Sequence, residues 1–382
     1  MKISKRMKRL LVIIIVLALI ITLYFLWAYS ERELVENNVE TGELYFSEQG
    51  DSLSGSNFIA IQAFMLPQDY QSEITFYNKL DFYLQQAKLK NWLSNKTIVV
   101  FPEYLGTWLV VAEEKQSIYR DKRIEQGLST MVLSNIFSFV KAYMFAKEED
   151  RVKDAVFRMK AQKMATIYSK VFSQLSKKYG VYIVGGSIIL PKPVVENNKI
   201  AVGKGNLFNI SFLFHPDGKI DNKFVLKVYP TADEQTYISA GKLNDIPIFE
   251  TSAGKLGIAV CADSWYPDVY SHFKNNNAEI IAVPSFSIPE GIMNSLWNGY
   301  SGYPEPKGVE LTDIKSITEK QAWEKYALLG RAKNYHFRAG INVFMRGQLW
   351  DLSSDGQTYS FLQNMSYIEN SVNASMISCL WF

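Results

Sequence analysis

A run of 19 residues without a formal charge, from Leu10 to Ala28, is the strongest constraint on how this chain can fold. Leu, Ile and Val make up most of the run, and aromatic residues cluster at its end. A helix of that length rises about 28 Å, close to the roughly 30 Å hydrocarbon core of a bilayer. A helix also satisfies its own backbone polar groups there. The run therefore predicts a transmembrane anchor over residues 10–29.

The charges that flank this run predict its orientation. The first nine residues carry five basic side chains and no acidic one, whereas Glu31, Glu33 and Glu36 follow the run. Basic residues favour the cytoplasmic side of a membrane span. We therefore expect a single-pass membrane protein in which residues 1–9 form a basic cytoplasmic tail. The rest of the chain would lie outside the cytoplasm.

A cleaved signal peptide is the alternative interpretation of the same run. Its apolar region would normally span about 7–15 residues and end in small residues at the cleavage site. Here the run is longer, and residues 24–27 read Tyr, Phe, Leu and Trp. An uncleaved signal-anchor is therefore favoured.

Beyond its N-terminus the chain is nearly neutral. It has 41 basic and 38 acidic residues in all, and 36 basic residues remain when the first five are set aside. A nucleic-acid-binding protein would present a basic surface, and this composition does not supply one. Nucleic acid is therefore not expected as a partner.

Cysteine usage indicates chemistry rather than cross-linking. The chain has two cysteines, Cys261 and Cys379, fewer than a secreted domain stapled by disulfides would have. Cys379 lies near the end of the sequence and is interpreted as incidental. Cys261 would then be a single thiol in an oxidising compartment, and we expect it to be partly buried.

Residues 30–56 are rich in Asn, Gly and Ser, which predicts a flexible tether. From residue 57 onward, short apolar runs bounded by turn residues alternate with helical stretches. The strand candidates are residues 57–63, 97–101, 181–185, 207–214, 255–260 and 280–284, and the helix candidates include 74–89 and 155–178. This alternation predicts a layered α/β domain over residues 57–382.

Three apolar runs each adjoin one reactive side chain, namely Glu103, Lys227 and Cys261. A carboxylate can take the proton of a thiol, and the thiolate can then attack an amide or nitrile carbon. An ammonium group and backbone N–H groups can stabilise the negative charge that this attack creates. The set suffices for acyl transfer without histidine. The three histidines have no Cys-protease-like setting, which disfavours a Cys-His protease.

In this order and context, the three residues resemble the Glu-Lys-Cys triad of the nitrilase, or carbon–nitrogen hydrolase, superfamily. The resemblance runs from about Asn57 to Phe361. It includes Phe58-Ile59-Ala60-Ile61-Gln62, Val184-Gly185-Gly186-Ser187, Asn206-Leu207-Phe208-Asn209, Cys261-Ala262-Asp263 and Ala282-Val283-Pro284-Ser285. It implies a four-layer α-β-β-α sandwich of the nitrilase type behind the N-terminal transmembrane helix. It also implies that no metal or organic cofactor is needed.

The resemblance further implies a role for each site residue. Cys261 would be the nucleophile, Glu103 the general base and later the acid, and Lys227 the oxyanion stabiliser. Glu234, seven residues after Lys227, would be a second carboxylate, with Asp233 as a substitute.

Two enlargements, near residues 112–160 and 289–318, distinguish this chain from a compact member of that superfamily. Within the first, residues 127–146 predict a helix with a wide apolar face, which needs a partner. That face could pack on the body, form a dimer contact or lie in the outer leaflet.

Further residues are expected around the triad. The N–H of Ala262 is the natural second oxyanion donor. Aromatic residues after the base and in the second enlargement are expected to line the pocket, since loops on a rigid scaffold commonly set specificity. These are Tyr104, Trp108, Trp297, Tyr300 and Tyr303.

The preferred function is a membrane-anchored hydrolase that cleaves an amide or nitrile C–N bond through a thioester on Cys261. Its substrate would be a small-molecule or lipid-like amide, and a homodimer is compatible with the sequence. One alternative is an N-acyltransferase that passes the acyl group from Cys261 to an amine. A second is a non-catalytic tethered binding module.

Overall fold

Helices and strands alternate along most of the computed structural model, which describes residues 4–32, 39, 42–302, 304–370 and 372–382. The helices are α1 (Lys5–Tyr29), α2 (Glu73–Leu89), α3 (Gln116–Arg120), α4 (Ile124–Ser134), α5 (Ile136–Met144), α6 (Arg151–Tyr179), α7 (Pro267–Asn275), α8 (Glu319–Tyr326) and α9 (Leu328–Ala332). The strands are β1 (Leu44–Gln49), β2 (Asn57–Gln62), β3 (Phe64–Met65), β4 (Thr97–Val100), β5 (Tyr182–Val184), β6 (Ile188–Pro191), β7 (Val194–Glu196), β8 (Lys199–Ala201), β9 (Leu207–Phe214), β10 (Ile220–Leu226), β11 (Ile248–Thr251), β12 (Gly254–Ile258), β13 (Ile280–Ser285), β14 (Ala339–Phe344), β15 (Arg346–Leu349), β16 (Leu352–Ser353), β17 (Tyr359–Leu362), β18 (Met365–Ile368) and β19 (Ser375–Trp381).

Two large sheets form the centre of the protein. In the first, the strand order is β1-β19-β2-β4-β5-β9-β10, with β6 also paired to β9. In the second, the order is β11-β12-β13-β14-β17-β18. Each predicted strand coincides with one of these strands to within two residues at either end.

The two faces of the first sheet bury different neighbours. In β2, Ile59 and Ile61 pack in a core with α2 and α6, whereas Phe58 and Ala60 pack in a core with the second sheet. Residues of α7, α8 and α9 also belong to the second core. The predicted layered α/β fold is confirmed, since its strands are apolar on both faces as sheets covered on two sides require.

The predicted tether over residues 30–56 is wrong in its second half. Residues 44–49 form β1, which pairs in parallel with β19 at the edge of the first sheet. The Phe46 ring lies 6.0 Å from that of Trp92, and Trp381 Nε1 donates to Glu48 Oε1 at 2.8 Å. These contacts hold residues 44–49 in the sheet, although their polar surroundings in the sequence predicted a tether. Residues 33–38 and 40–41 lie outside the described residues.

Helix α1 is the helix, among those the structure describes, whose length and mean hydropathy of 3.1 suit a membrane crossing. Nearly all its side chains are exposed; toward its C-terminal end Ala28 is buried and Tyr24 is half-buried. Within the part of the chain that the structure describes, the helix therefore meets the domain only near that end.

The predicted helix over residues 127–146 is divided into α4 and α5 at Asn135. The Asn135 side chain turns inward and donates Nδ2–H to both carboxylate oxygens of Glu114, at 3.1 and 3.0 Å. Because its backbone also leaves the helical region, with a ψ of 29°, the helix breaks there.

Candidate active site

Glu103 lies in a sharp turn just after β4. The next residue, Tyr104, has a φ of +61°, and its N–H donates to Ser187 Oγ at 2.8 Å. A Cβ on Gly186 would lie 2.0 Å from the Pro102 carbonyl oxygen, so only glycine fits where these two backbone segments pass each other. The turn buries the Glu103 carboxylate, which is 1% exposed.

Lys227 follows β10 and joins two carboxylates. Its Nζ lies 2.8 Å from Glu103 Oε1 and 2.7 Å from Glu234 Oε2, and all three side chains are buried. Glu234 also accepts the Thr231 N–H at 2.7 Å and a hydrogen bond from the Tyr104 hydroxyl. The second carboxylate that pairs with Lys227 is Glu234, whereas Asp233 lines the cavity without joining the ion pair.

Asn209, on β9, orients this cluster and was missed as a site residue by the sequence analysis. Its Nδ2 donates to Glu103 Oε1 at 2.8 Å and to Glu234 Oε1 at 3.4 Å, and its carbonyl accepts the Lys227 N–H at 2.9 Å. Asn209 is the last residue of the motif Asn206-Leu207-Phe208-Asn209, and this motif was the sequence signal that could have identified it as a site residue. A single amide therefore fixes both carboxylates relative to the lysine.

Cys261 lies where β12 passes into a short 3₁₀ helix, Cys261–Trp265. Its φ of +50° is uncommon for a residue with a side chain and is typical of strained functional turns. The N–H of Ala262 lies in the first turn of that helix, where backbone donors have no acceptor within the helix. The Cys261 thiol donates to the Phe286 carbonyl oxygen at 3.7 Å, and it lies close enough to Glu103 for each group to shift the pKa of the other.

Asp263 links the cysteine turn to the lysine loop. Its Oδ1 accepts the N–H groups of Val228 and Tyr229 at 3.0 and 2.8 Å, and its Oδ2 accepts that of Val260 at 3.3 Å. Burial raises the pKa of Asp263 to about 7, against the lowering effect of Lys227 and these donors. The carboxylate therefore sets the distance between the segments that carry Lys227 and Cys261.

The site holds two carboxylates and a thiol around one ammonium group, and this imbalance sets its pKa values. Burial would raise the pKa of Glu234, but the ion pair with Lys227 and the hydrogen bonds from Tyr104 and Thr231 together outweigh burial and lower that pKa. Burial raises the pKa of Glu103 despite the attraction of Lys227, and the charge of Glu234 raises it further. Burial also raises the pKa of Cys261 well above its usual range, as does Glu103.

This distribution favours proton transfer between Cys261 and Glu103. Lys227 and Glu234 neutralise each other, so one negative charge is left for the thiol and Glu103 to share. Moving the proton from sulfur to Glu103 shifts that charge without changing the net charge of the buried site. A carboxylate with a raised pKa is a better proton acceptor for this purpose than an exposed one.

A cavity of about 390 Å³ brings most of the predicted residues together. Its wall contains the charged residues Glu103, Lys227 and Glu234 and the thiol of Cys261, together with Ala262, Tyr104, Trp108, Trp297 and Tyr300. The predicted pocket residue Tyr303 lies outside the described residues. Sequence reasoning missed Tyr237, Phe286 and Glu319 in this wall, and no motif marked them.

Comparison with known proteins gives three related findings. Residues 87–305, more than half of the chain, match the family model for carbon-nitrogen hydrolase. The probable hydrolase YhcX of Bacillus subtilis (strain 168) is 31% identical over 117 residues, which cover 31% of this chain and 20% of that protein. An omega-amidase of Danio rerio is 26% identical over 175 residues, which cover 44% of this chain and 54% of that protein.

Solved structures show the same fold. The crystal structure of a carbon-nitrogen hydrolase from Helicobacter pylori G27 superposes with a TM-score of 0.51 at 17% identity, covering 85% of this chain and 89% of that one. At that identity the likeness concerns the fold alone. The chain spans between about a fifth and half the length of the two curated relatives above.

Proposed function

Since this chain belongs to the carbon–nitrogen hydrolase family, we propose that it is a membrane-anchored enzyme that cleaves an amide or nitrile C–N bond through a thioester on Cys261. The observation that carries the proposal is the buried cluster in which Lys227 bridges Glu103 and Glu234 beside the thiol. Buried charges in such an arrangement are costly to maintain and are typical of reactive sites.

In the acylation step, Cys261 Sγ attacks the amide carbon while its proton passes to Glu103. The negative charge that develops on the carbonyl oxygen is stabilised by Lys227 Nζ and the Ala262 N–H. The C–N bond then breaks, and Glu103 returns the proton to the departing nitrogen. An acyl thioester on Cys261 and a free amine or ammonia result.

Deacylation repeats this sequence with water as the nucleophile. Glu103 takes a proton from the water as its oxygen attacks the thioester carbon. The C–S bond breaks, the acid leaves, and the sulfur regains its proton from Glu103. Glu234 stays ionised throughout, which keeps Lys227 charged in both half-reactions.

The walls of the cavity favour an acyl group that is apolar and has no carboxylate. Apolar side chains dominate the lining, among them Trp108, Phe157, Ile189 and Trp265. Lys227 is the only cation in the described lining, and it is already paired. The cavity wall also contains the carboxyl groups of Asp233 and Glu319, and burial raises the pKa of Glu319 to about 7. A substrate carboxylate would therefore meet acidic groups and no unpaired cation among the described lining residues.

Helix α1 supports the membrane part of the proposal. Its exposed apolar side chains need a lipid environment, and the basic residues that precede it favour a cytoplasmic N-terminus. The catalytic domain would then work outside the cytoplasm, close to the membrane surface.

The function is tested with the full chain in nanodiscs and two amides of matched length. Hexanamide is expected to release ammonia with a kcat/KM at least about tenfold above that of its ω-carboxylated analogue, adipic acid monoamide. Mass spectrometry of acid-quenched protein should detect a hexanoyl adduct on Cys261. Transfer of the hexanoyl group to an added amine, with no free acid, would favour the acyltransferase. Absence of both ammonia and adduct with simple amides would overturn the proposal.

The pH profile gives a separate prediction for the second carboxylate. Glu103 must be ionised to accept the thiol proton, so kcat/KM falls as pH drops through its pKa, which lies above the ordinary 4.5. Glu234→Gln removes a negative charge that raises this pKa, and the acid limb is expected to move to lower pH. Asp233→Asn is the matched control, since it changes a neighbouring carboxylate outside the ion pair. An unmoved limb in Glu234→Gln would exclude this coupling.

A further inference from the structure

Apolar side chains on α4 and α5 are exposed where these helices meet the end of α1. They are Leu133, Phe137, Val140, Tyr143, Met144 and Phe145, and together they are called the α4–α5 face. Phe137, Met144 and Phe145 are 63%, 66% and 63% exposed. Large apolar side chains concentrated in this way mark an interaction surface rather than ordinary solvent exposure.

The α4–α5 face continues the apolar surface of α1. The Tyr24 hydroxyl donates to the Leu133 carbonyl at 3.2 Å and accepts the Ile136 N–H at 3.3 Å, which joins α1 to the break between α4 and α5. The rings of Tyr24 and Phe25 lie 5.7 and 5.9 Å from that of Phe137. Whatever surrounds this end of α1 therefore also meets Phe137.

A buried ion network fixes α1 relative to the domain. The Glu114 carboxylate, 1% exposed, contacts Arg32 Nη2 at 3.0 Å and Lys160 Nζ at 2.6 Å. Arg32 also donates Nε–H to the Ala28 carbonyl at 2.8 Å. Breaking a buried pair of this kind is strongly destabilising, so the network holds the direction of the helix axis.

Lys115 completes this attachment at the end of α1. Its Nζ donates to the Trp27 and Ser30 carbonyl oxygens, both at 2.8 Å. These carbonyls belong to the last turn of the helix, which otherwise leaves its acceptors without partners. Since Lys115 is itself 3% exposed, α1 is docked on the domain and does not swing on a free linker.

The contact between Phe137 and Phe25 of α1 indicates how deep Phe137 would lie in the membrane. If residues 10–28 fill the hydrocarbon core, Phe25 lies three residues inside the end of the span, or about 4.5 Å below its edge. Phe137 stacks on Phe25 and would share that depth. Helices that lie in a membrane interface bury their apolar face about 5–10 Å into the headgroup and acyl boundary.

Of the charged residues near the face, Lys141 and Glu125 are compatible with this depth, and Glu149, exposed four residues after Phe145, would lie in the headgroup layer. Lys141 is exposed on α5, where a long basic side chain can extend to lipid phosphates. The exposed Glu125 lies at the opposite end of α4 from Leu133, about 12 Å along the helix axis. The acidic end of α4 therefore points away from the membrane contact.

We propose that the α4–α5 face is seated in the leaflet where α1 ends, with the bilayer as its occupant. The inference rests on the proposed membrane anchoring by α1. Lipid is favoured over a second copy of the chain because the α4–α5 face is continuous with a helix surface that lipid would already cover.

This seating brings the cavity close to the bilayer. The ring of Trp108, in the cavity wall, lies 5.8 Å from that of Trp350, whose Nε1 donates to the Ile118 carbonyl in α3 at 2.7 Å. A Cβ on Gly127 in α4 would lie 3.5 Å from the same Nε1. One layer of side chains thus separates the cavity from Gly127, which lies six residues, or about 9 Å along the axis of α4, from Leu133 in the α4–α5 face.

The test places nitroxide labels on single cysteines in the full chain in nanodiscs of phosphatidylcholine and phosphatidylglycerol. Labels replace Phe137, Met144, Leu17 in α1, or Leu89 as a control, in a background with Cys261→Ala and Cys379→Ala, so that only the new thiol reacts. Leu89 is 75% exposed and is the last residue of α2, about 24 Å along the helix axis from Glu73 at its start. Electron paramagnetic resonance then compares collisions with oxygen, which concentrates in lipid, and with a water-soluble nickel chelate.

Labels at positions 137 and 144 are expected to collide preferentially with oxygen, as at 17, while the label at 89 collides preferentially with the nickel chelate. If the label at 17 is in lipid but those at 137 and 144 behave like that at 89, the inference is overturned and the anchor stands. If the label at 17 is also in water, the anchor and the inference both fail. Protection from both reagents with spin–spin broadening would mean a second copy covers the face, which also overturns the proposal.

Discussion

Cys261→Ala is expected to lower kcat for amide hydrolysis by at least about 10⁴-fold, because no other group can form the acyl thioester. Cys261 is 5% exposed and its side chain is small, so the fold should persist with little change in thermal midpoint. Ammonia release and circular dichroism on the same preparation measure the two effects. Turnover at the wild-type rate in this variant would refute the covalent mechanism.

Cys379→Ala is the matched control for the loss of a buried thiol. Cys379 is 1% exposed in β19, and Asn57 Nδ2 lies 3.2 Å from its sulfur. Removing that sulfur is expected to cost about 1–2 kcal/mol of stability while kcat stays unchanged. A comparable loss of activity in both variants would point to a general effect of thiol removal on the fold.

Lys227→Ala is expected to have the second largest effect, and it should act on both rate and stability. Without the ammonium group, acylation loses its oxyanion stabiliser, which is expected to lower kcat about 10²–10³-fold or more. Glu103 and Glu234 also remain buried without their partner, which is expected to cost about 3–5 kcal/mol in the free energy of unfolding at neutral pH. Pre-steady-state acylation and denaturant unfolding measure the two losses.

A double variant separates these two roles of Lys227. Adding Glu234→Gln to Lys227→Ala removes one of the two unpaired charges, so part of the lost stability should return. The acylation rate should not recover, because the oxyanion still lacks its cation. If activity recovered along with stability, Lys227 would be a structural partner of the carboxylates and not a participant in acyl transfer.

The features predicted correctly from sequence are those encoded in contiguous residues. Apolar runs bounded by turn residues identified β2, β4, β9 and β13, and a long uncharged run identified α1. Each reactive side chain lies at the end of such a run or just beyond it. Because strands of this kind are buried on both faces, their residue pattern is distinctive without knowledge of their neighbours.

The features that were missed depend on contacts between distant parts of the chain. Strand β1 exists because β19, more than 300 residues later, offers a free edge. The break between α4 and α5 depends on Glu114 and Tyr24, and the docking of α1 depends on Arg32 and Lys115. None of these residues carries a local pattern that distinguishes it from a solvated polar or aromatic residue.

By itself, the sequence determined the layered α/β class and the membrane-length helix, and it predicted that Glu103, Lys227, Cys261 and Glu234 act together. Only the tertiary structure decided how these groups share charge, since the raised pKa of Glu103 and the lowered pKa of Glu234 arise from burial and from distances between separate loops. It also decided that α1 is docked on the domain and not loosely tethered to it. The charge distribution and the docking of α1 have the same physical reason. The order of residues along the chain fixes which side chains a segment offers. The dielectric environment and the partners of those side chains depend on what folds against that segment.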